Sequence, residues 1–151
     1  MTNQNIPKKI LHWYDNNKRA LPWRKKVSKK KQEYFTLVSE FMLQQTQVKT
    51  VIPYFEKFIK EFPNLKSLAK SSDHKILKNW EGLGYYSRAR NLKKTAIKLL
   101  KDYKGELPED IETLKSLPGI GEYTSRSILA IAHNKPCLLY TSPSPRDFVR
   151  S

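Results

Sequence analysis

The sequence predicts an all-α fold, and three observations carry that expectation. Apolar residues recur three or four positions apart along almost the whole chain, no segment alternates as a strand would, and prolines and glycines cut the pattern into short pieces. With 151 residues, 38% of them hydrophobic and 11% aromatic, the chain has apolar material for one core and not enough length to promise two.

Taken in order, Ile6, Ile10 and Trp13 share a helical face until Arg19-Ala20-Leu21-Pro22-Trp23-Arg24 interrupts it at proline. Residues 25–31 read as a basic loop, which a solvated charge run explains as well as phosphate contact does. A helix is expected over residues 33–47, with Tyr34, Leu37, Val38, Phe41, Met42 and Gln45 on one side. Another begins near residue 49, buries Val51, Tyr54, Phe55, Phe58 and Ile59, and holds Pro53 in its first turn. After Phe62-Pro63-Asn64, short helices are expected over 65–70 and 73–80, the second capped by Ser72 or Asp73. A glycine-punctuated loop, Glu81-Gly82-Leu83-Gly84-Tyr85-Tyr86, leads to a helix over 87–103 with Ala89, Leu92, Ala96, Leu99 and Leu100 as its apolar stripe. Gly105 breaks it, a short helix follows over 109–114, and a last one ends near His133. Residues 137–151 lose helical periodicity and carry Pro143 and Pro145.

Twenty-nine Lys and Arg against 14 Asp and Glu leave a net charge of +15, which points to a polyanionic partner, nucleic acid first. A solvated lysine-rich surface would give the same charge. An acidic membrane surface ranks third, because no apolar segment reaches spanning length and no signal-like segment follows Met1. The single cysteine, Cys137, excludes an internal disulfide, and a reducing intracellular setting is expected. His12, His74 and His133 lie on separate elements without metal-ligand spacing, so no metal site is expected.

Leu117-Pro118-Gly119-Ile120-Gly121, followed by Tyr123, Thr124 and the apolar Ile128, Leu129 and Ile131, has the layout of a helix-hairpin-helix. Gly119 and Gly121 allow a tight turn that presents backbone N–H groups at a helix start, a seat for DNA phosphate. An ordinary helix–helix turn also uses Gly-x-Gly; the preceding Leu-Pro, the long apolar helix and the charge favour the phosphate seat. Within 33–47, Glu33, Thr36, Glu40, Gln44 and Gln47 recur on one polar side, with no Lys or Arg from 33 to 48. A plain solvent face is the competing explanation. A glutamine-rich face, however, can hydrogen-bond bases without neutralising the central Glu40.

Four ordered motifs then become specific: Leu21-Pro22-Trp23-Arg24, Ser39-Glu40-Phe41-Met42-Leu43-Gln44-Gln45-Thr46-Gln47-Val48, the stretch from Gly82 through Tyr85 to Leu92, and the hairpin. Together they resemble the signatures of MutY-type adenine DNA glycosylases of the helix-hairpin-helix superfamily, over most of residues 10–136. The resemblance implies a helix-hairpin-helix glycosylase domain over 1–136, incomplete against the family, with 137–151 as a disordered tail foreign to it. It implies double-stranded DNA as partner, and hydrolysis of the N-glycosidic bond of a flipped adenine opposite oxidised guanine or guanine. Glu40 would be the general acid and Tyr123 would lie close to the reacting sugar; Arg24, Gln44, Gln45, Thr46, Leu83, Tyr85, Gly119 and Gly121 would contact DNA or the base. A monomer is expected, in a bacterial cytoplasm or in a nucleus or mitochondrion.

The endonuclease III type carries a lysine where this chain has Tyr123, so a lyase is disfavoured; a non-catalytic DNA-binding module is the other alternative. Family members place an Asp near the position of Tyr140 or Thr141, where this chain has no carboxylate before Asp147. The four cysteines that hold a [4Fe-4S] cluster in full-length relatives are absent too. The chain as written is therefore expected to bind DNA, to excise poorly, and to leave Ile128, Leu129 and Ile131 partly uncovered.

Overall fold

Caps and turns divide residues 21–133, the part described by the computed structural model, into a 3-10 turn and seven α-helices, without a strand among them. The expected helix around Ile6, Ile10 and Trp13 and the tail with Cys137 lie outside the described residues.

Pro22–Arg24 forms the 3-10 turn. Ser28 caps α1 (Lys29–Leu43), its hydroxyl accepting from the Lys31 amide at 3.3 Å. The basic stretch is thus a helical first turn at Lys29 and beyond, not a loop throughout. Lysine and glutamine propagate a helix well, so the cap rather than the onset of apolar periodicity decides the start. The helix also ends earlier than periodicity suggests: Gln44 leaves the helical region at ψ 113° and Gln45 turns left-handed at φ 59°.

α2 (Val48–Glu61) buries Val51, Phe55 and Phe58, with Tyr54 and Ile59 only partly covered. Pro53 is its sixth residue, one turn further in than expected, on an exposed position where water can reach the carbonyl left without a donor. α3 (Leu65–Lys70) starts on an Asn64–Ser67 capping box, and α4 (Asp73–Trp80) on Ser72. α5 (Tyr86–Asp102) buries Ala89, Leu92, Ala96 and Leu99; Leu100, expected in that stripe, is 37% exposed. α6 (Ile111–Lys115) is capped by Asp110, and α7 (Glu122–Ala132) completes the set.

α1 runs through the middle, packed on α2, α5, α7 and the 3-10 turn. Leu37, Val38, Phe41 and Met42 are fully enclosed, and an edge-to-face aromatic chain links Trp23 to Phe55 at 5.2 Å and Phe55 to Phe35 at 5.5 Å. Ile128 and Leu129 are buried against this core, against the expectation of an uncovered face, while Ile131 is partly exposed as expected. The supposed polar side of α1 faces inward as well: Glu33, Thr36 and Glu40 are all buried. Glu33 is spent on the backbone, its carboxylate accepting from the Leu107 amide at 3.1 Å.

Candidate active site

Three segments converge where α1 stops: the link 44–47, the loop 81–85 and the hairpin 116–121. A helix end leaves carbonyls without donors. Here Arg88 of α5 supplies them, its guanidinium donating to the carbonyls of Met42 at 2.7 Å, Phe41 at 3.3 Å and Gln44. The same group donates to Gly84 at 3.1 Å and Leu83 at 3.4 Å, and stacks over the rings of Trp80 and Tyr85. Burial lowers its pKa. Sequence reading does not single out Arg88, although an arginine in phase with Leu92, Thr95 and Leu99 on a buried helix face is a visible signal.

Arg88 thereby holds the backbone that leads into two strained residues. Gln45 at φ 59° and Tyr85 at φ 49° are left-handed without being glycine, each at a cost of roughly 1–3 kcal/mol. Both are exposed, Tyr85 to 59%. Leu83, by contrast, is buried beneath its loop. Gly82 beside it has φ 99°, and a Cβ there would collide with the Tyr54 hydroxyl.

The hairpin glycines differ. Gly119 has φ 80°, and an added Cβ would lie 2.8 Å from Phe41 and from Asn91, so the fold itself requires glycine. Gly121 has φ −99° and open space around a Cβ position, so nothing inside the protein demands a bare backbone there. It opens α7 without a side-chain cap. Gln44, expected to touch DNA, turns its amide inward to donate to the Gly119 carbonyl at 3.1 Å and the Thr124 hydroxyl at 3.3 Å.

Glu40 lies beneath these segments, 9% exposed, with Ser127 of α7 donating to its Oε2 at 2.8 Å. Burial pushes its carboxyl up to about 7, while the Ser127 hydrogen bond and the Arg24 charge pull the other way. A groove of about 970 Å³ opens onto it, lined by Gln45, Thr46, Gly121, Tyr123 and Ser127 among others. The structure thus gathers Glu40, Gln44, Gln45, Thr46, Gly119, Gly121 and Tyr123 on one groove, with Arg24 acting through its charge. Leu83 and Tyr85 belong to the neighbouring loop and do not line it. Ser127 is invisible to sequence reading because it reaches Glu40 across 87 positions.

Among the described residues no group of three His, Cys, Asp or Glu could hold a metal ion, and the sequence has one cysteine. These residues do not fit a four-cysteine iron–sulfur cluster. No helix among them is long and apolar enough to cross a membrane.

The family model described as HhH-GPD superfamily base excision DNA repair protein matches residues 38–140. An adenine DNA glycosylase from Buchnera aphidicola subsp. Baizongia pistaciae is 49% identical over 126 residues, which make up 83% of this chain and 35% of that protein. The human adenine DNA glycosylase is 44% identical over 128 residues, 82% of this chain and 23% of that protein. The chain thus spans about a third or less of the length of these curated relatives. Among solved structures, a thermostable thymine-DNA glycosylase superposes with TM-score 0.71 at 28% identity, covering 83% of this chain and 57% of that one. A non-covalent endonuclease III–DNA complex gives TM-score 0.67 at 19% identity, covering 85% of this chain and 61% of that chain, a likeness of fold.

Proposed function

Because the chain belongs to the HhH-GPD superfamily of base excision DNA repair proteins, we propose that it carries the DNA-binding and acid-bearing part of an adenine DNA glycosylase. The observation that carries this reading is Glu40, a carboxyl buried at the floor of an open groove and raised to about 7, so that it holds a proton near neutral pH. A general acid works best when its pKa lies near the working pH. Protonating the adenine ring turns a poor leaving group into a better one, and the groove is where a base flipped from the duplex would meet that proton.

The other residues fall into roles around it. Tyr123 and Thr46 would flank the base and its sugar. Gln45 and Tyr85, exposed on held backbones, would enter the duplex beside the lesion pair, with buried Leu83 as support rather than contact. Gly121, bare with no internal reason, would let a phosphate approach the start of α7. Gln44 would act by tying the hairpin to α1. The substrate would be adenine opposite oxidised guanine or guanine, bound by a monomer.

The sequence after α7 has no carboxylate before Asp147, and on this reading a developing sugar cation would lack the anion that family members supply there. Losing one such stabiliser costs roughly two to three orders of magnitude in rate. Single-turnover assays on duplexes with adenine opposite oxidised guanine test the reading. The expected result is slow excision by this chain, faster excision after extension with an Asp-bearing segment, and none from Glu40→Gln in either form, with DNA binding kept. Excision that persists in Glu40→Gln, or its absence from the extended chain, overturns it.

A further inference from the structure

Glu40 has two carboxyl oxygens, and a general acid must present its proton on the one that meets the substrate. Ser127 is 4% exposed, and its hydroxyl on α7 meets the Glu40 carboxyl on α1 across 87 positions of sequence. We propose that Ser127 is a positioning residue: by donating to Oε2 at 2.8 Å it fixes the carboxyl's rotation and leaves Oε1 as the oxygen that carries the proton into the groove. This rests on the reading of Glu40 as the acid.

The chemistry follows from the two states of the group. In the neutral acid, the oxygen that already accepts a hydrogen bond is the better carbonyl oxygen, so the proton resides on the other. After the proton leaves, the same hydroxyl stabilises the carboxylate in a place where burial penalises charge. Ser127 therefore eases both the presentation and the release of the proton. Other ionisable groups also lie in this region. Arg24 of the 3-10 turn favours the ionised form through its charge. Arg88 of α5 is committed to backbone carbonyls, and Glu122 of α7 pairs with Lys115 and Arg126. Lys49 at the start of α2 and Tyr123 of α7 share the groove lining. Ser127 is the side chain whose hydrogen bond to the carboxyl pulls against burial.

The test is a carbon-13 NMR titration of glutamate carboxyls in the whole chain, with Glu40 assigned by the loss of its signal in Glu40→Gln. The expected midpoint in Ser127→Ala lies about one pH unit above that of the wild type, because a hydrogen bond to the charged form is lost. Ser127→Thr, which keeps the hydroxyl, is expected to return the midpoint toward the wild-type value. An unmoved midpoint in Ser127→Ala overturns the proposal, and so does an equal rise in both variants, which would make the effect one of packing. The titration reads the carboxyl whether or not the chain excises. A failure of the general-acid reading, which Glu40→Gln excision reports, is thus told apart from a failure of this one.

Discussion

Burial gives Glu40 a charge that changes near neutral pH, and this ties the chain's stability to pH with a definite sign. Its carboxyl rises from 4.5 to about 7 on folding, so between those values the native state holds a proton that the unfolded chain has released. The stabilising contribution is complete below about 4.5 and is lost as pH climbs through about 7, a change on the order of 3 kcal/mol. Urea unfolding at a series of pH values is expected to show this decline in the wild type and a flatter profile in Glu40→Gln; equal profiles would contradict it. The two hairpin glycines separate by the same kind of argument. Gly119→Ala places a Cβ against Phe41 and Asn91 at positive φ and is expected to cost about 1–3 kcal/mol in thermal melts. Gly121→Ala meets open space and is expected to leave the melt within about 0.5 kcal/mol while weakening affinity for undamaged duplex, since the added methyl stands where a phosphate would approach. Normal binding by Gly121→Ala would remove the phosphate seat from that position.

At the scale of elements, Arg88 joins the end of α1 to the loop before α5, and its loss is expected to act on both. Arg88→Met leaves buried carbonyls without donors, a cost of roughly 2–4 kcal/mol, and should raise hydrogen exchange in residues 44–47 and 82–86. Arg88→Lys should recover only part of this, because a point charge cannot fork across two backbones. Exchange unchanged in either segment would show that the arginine does not hold them. The helices themselves were legible where punctuation is local. α3, α4 and α7 begin and end on Asn64, Ser72, Gly121 and His133 within a residue or so of what spacing suggests. α1 was displaced by a turn because a serine followed by lysines caps as well as one followed by apolar residues. Periodicity placed Glu40 on a polar side but could not say that the side faces inward, since that depends on α7 arriving from the far end of the chain. Ser127 and Arg88, at separations of 87 and 46 from their partners, belong to the same class of fact.

For the molecule as a whole, a net charge of +15 and a hairpin without base-reading side chains predict DNA affinity that depends on salt far more than on sequence. Binding to duplexes of unrelated sequence is expected to fall linearly in log–log plots against salt, with one slope for all; distinct slopes would point to direct base readout. The fold class was readable from the outset because helical spacing runs through the whole described chain, whereas the groove exists only once α1 and the hairpin segments have met. The guanidinium that grips both left-handed tips has a kinetic consequence. Their backbones are held by the fold itself, so on the proposed reading no loop would have to be immobilised at each encounter with DNA. Under the proposed function, a protein that samples many sound base pairs for each damaged one would gain by this, because tips already rigid would make a fruitless visit brief and leave the waiting time to the opening of the duplex itself.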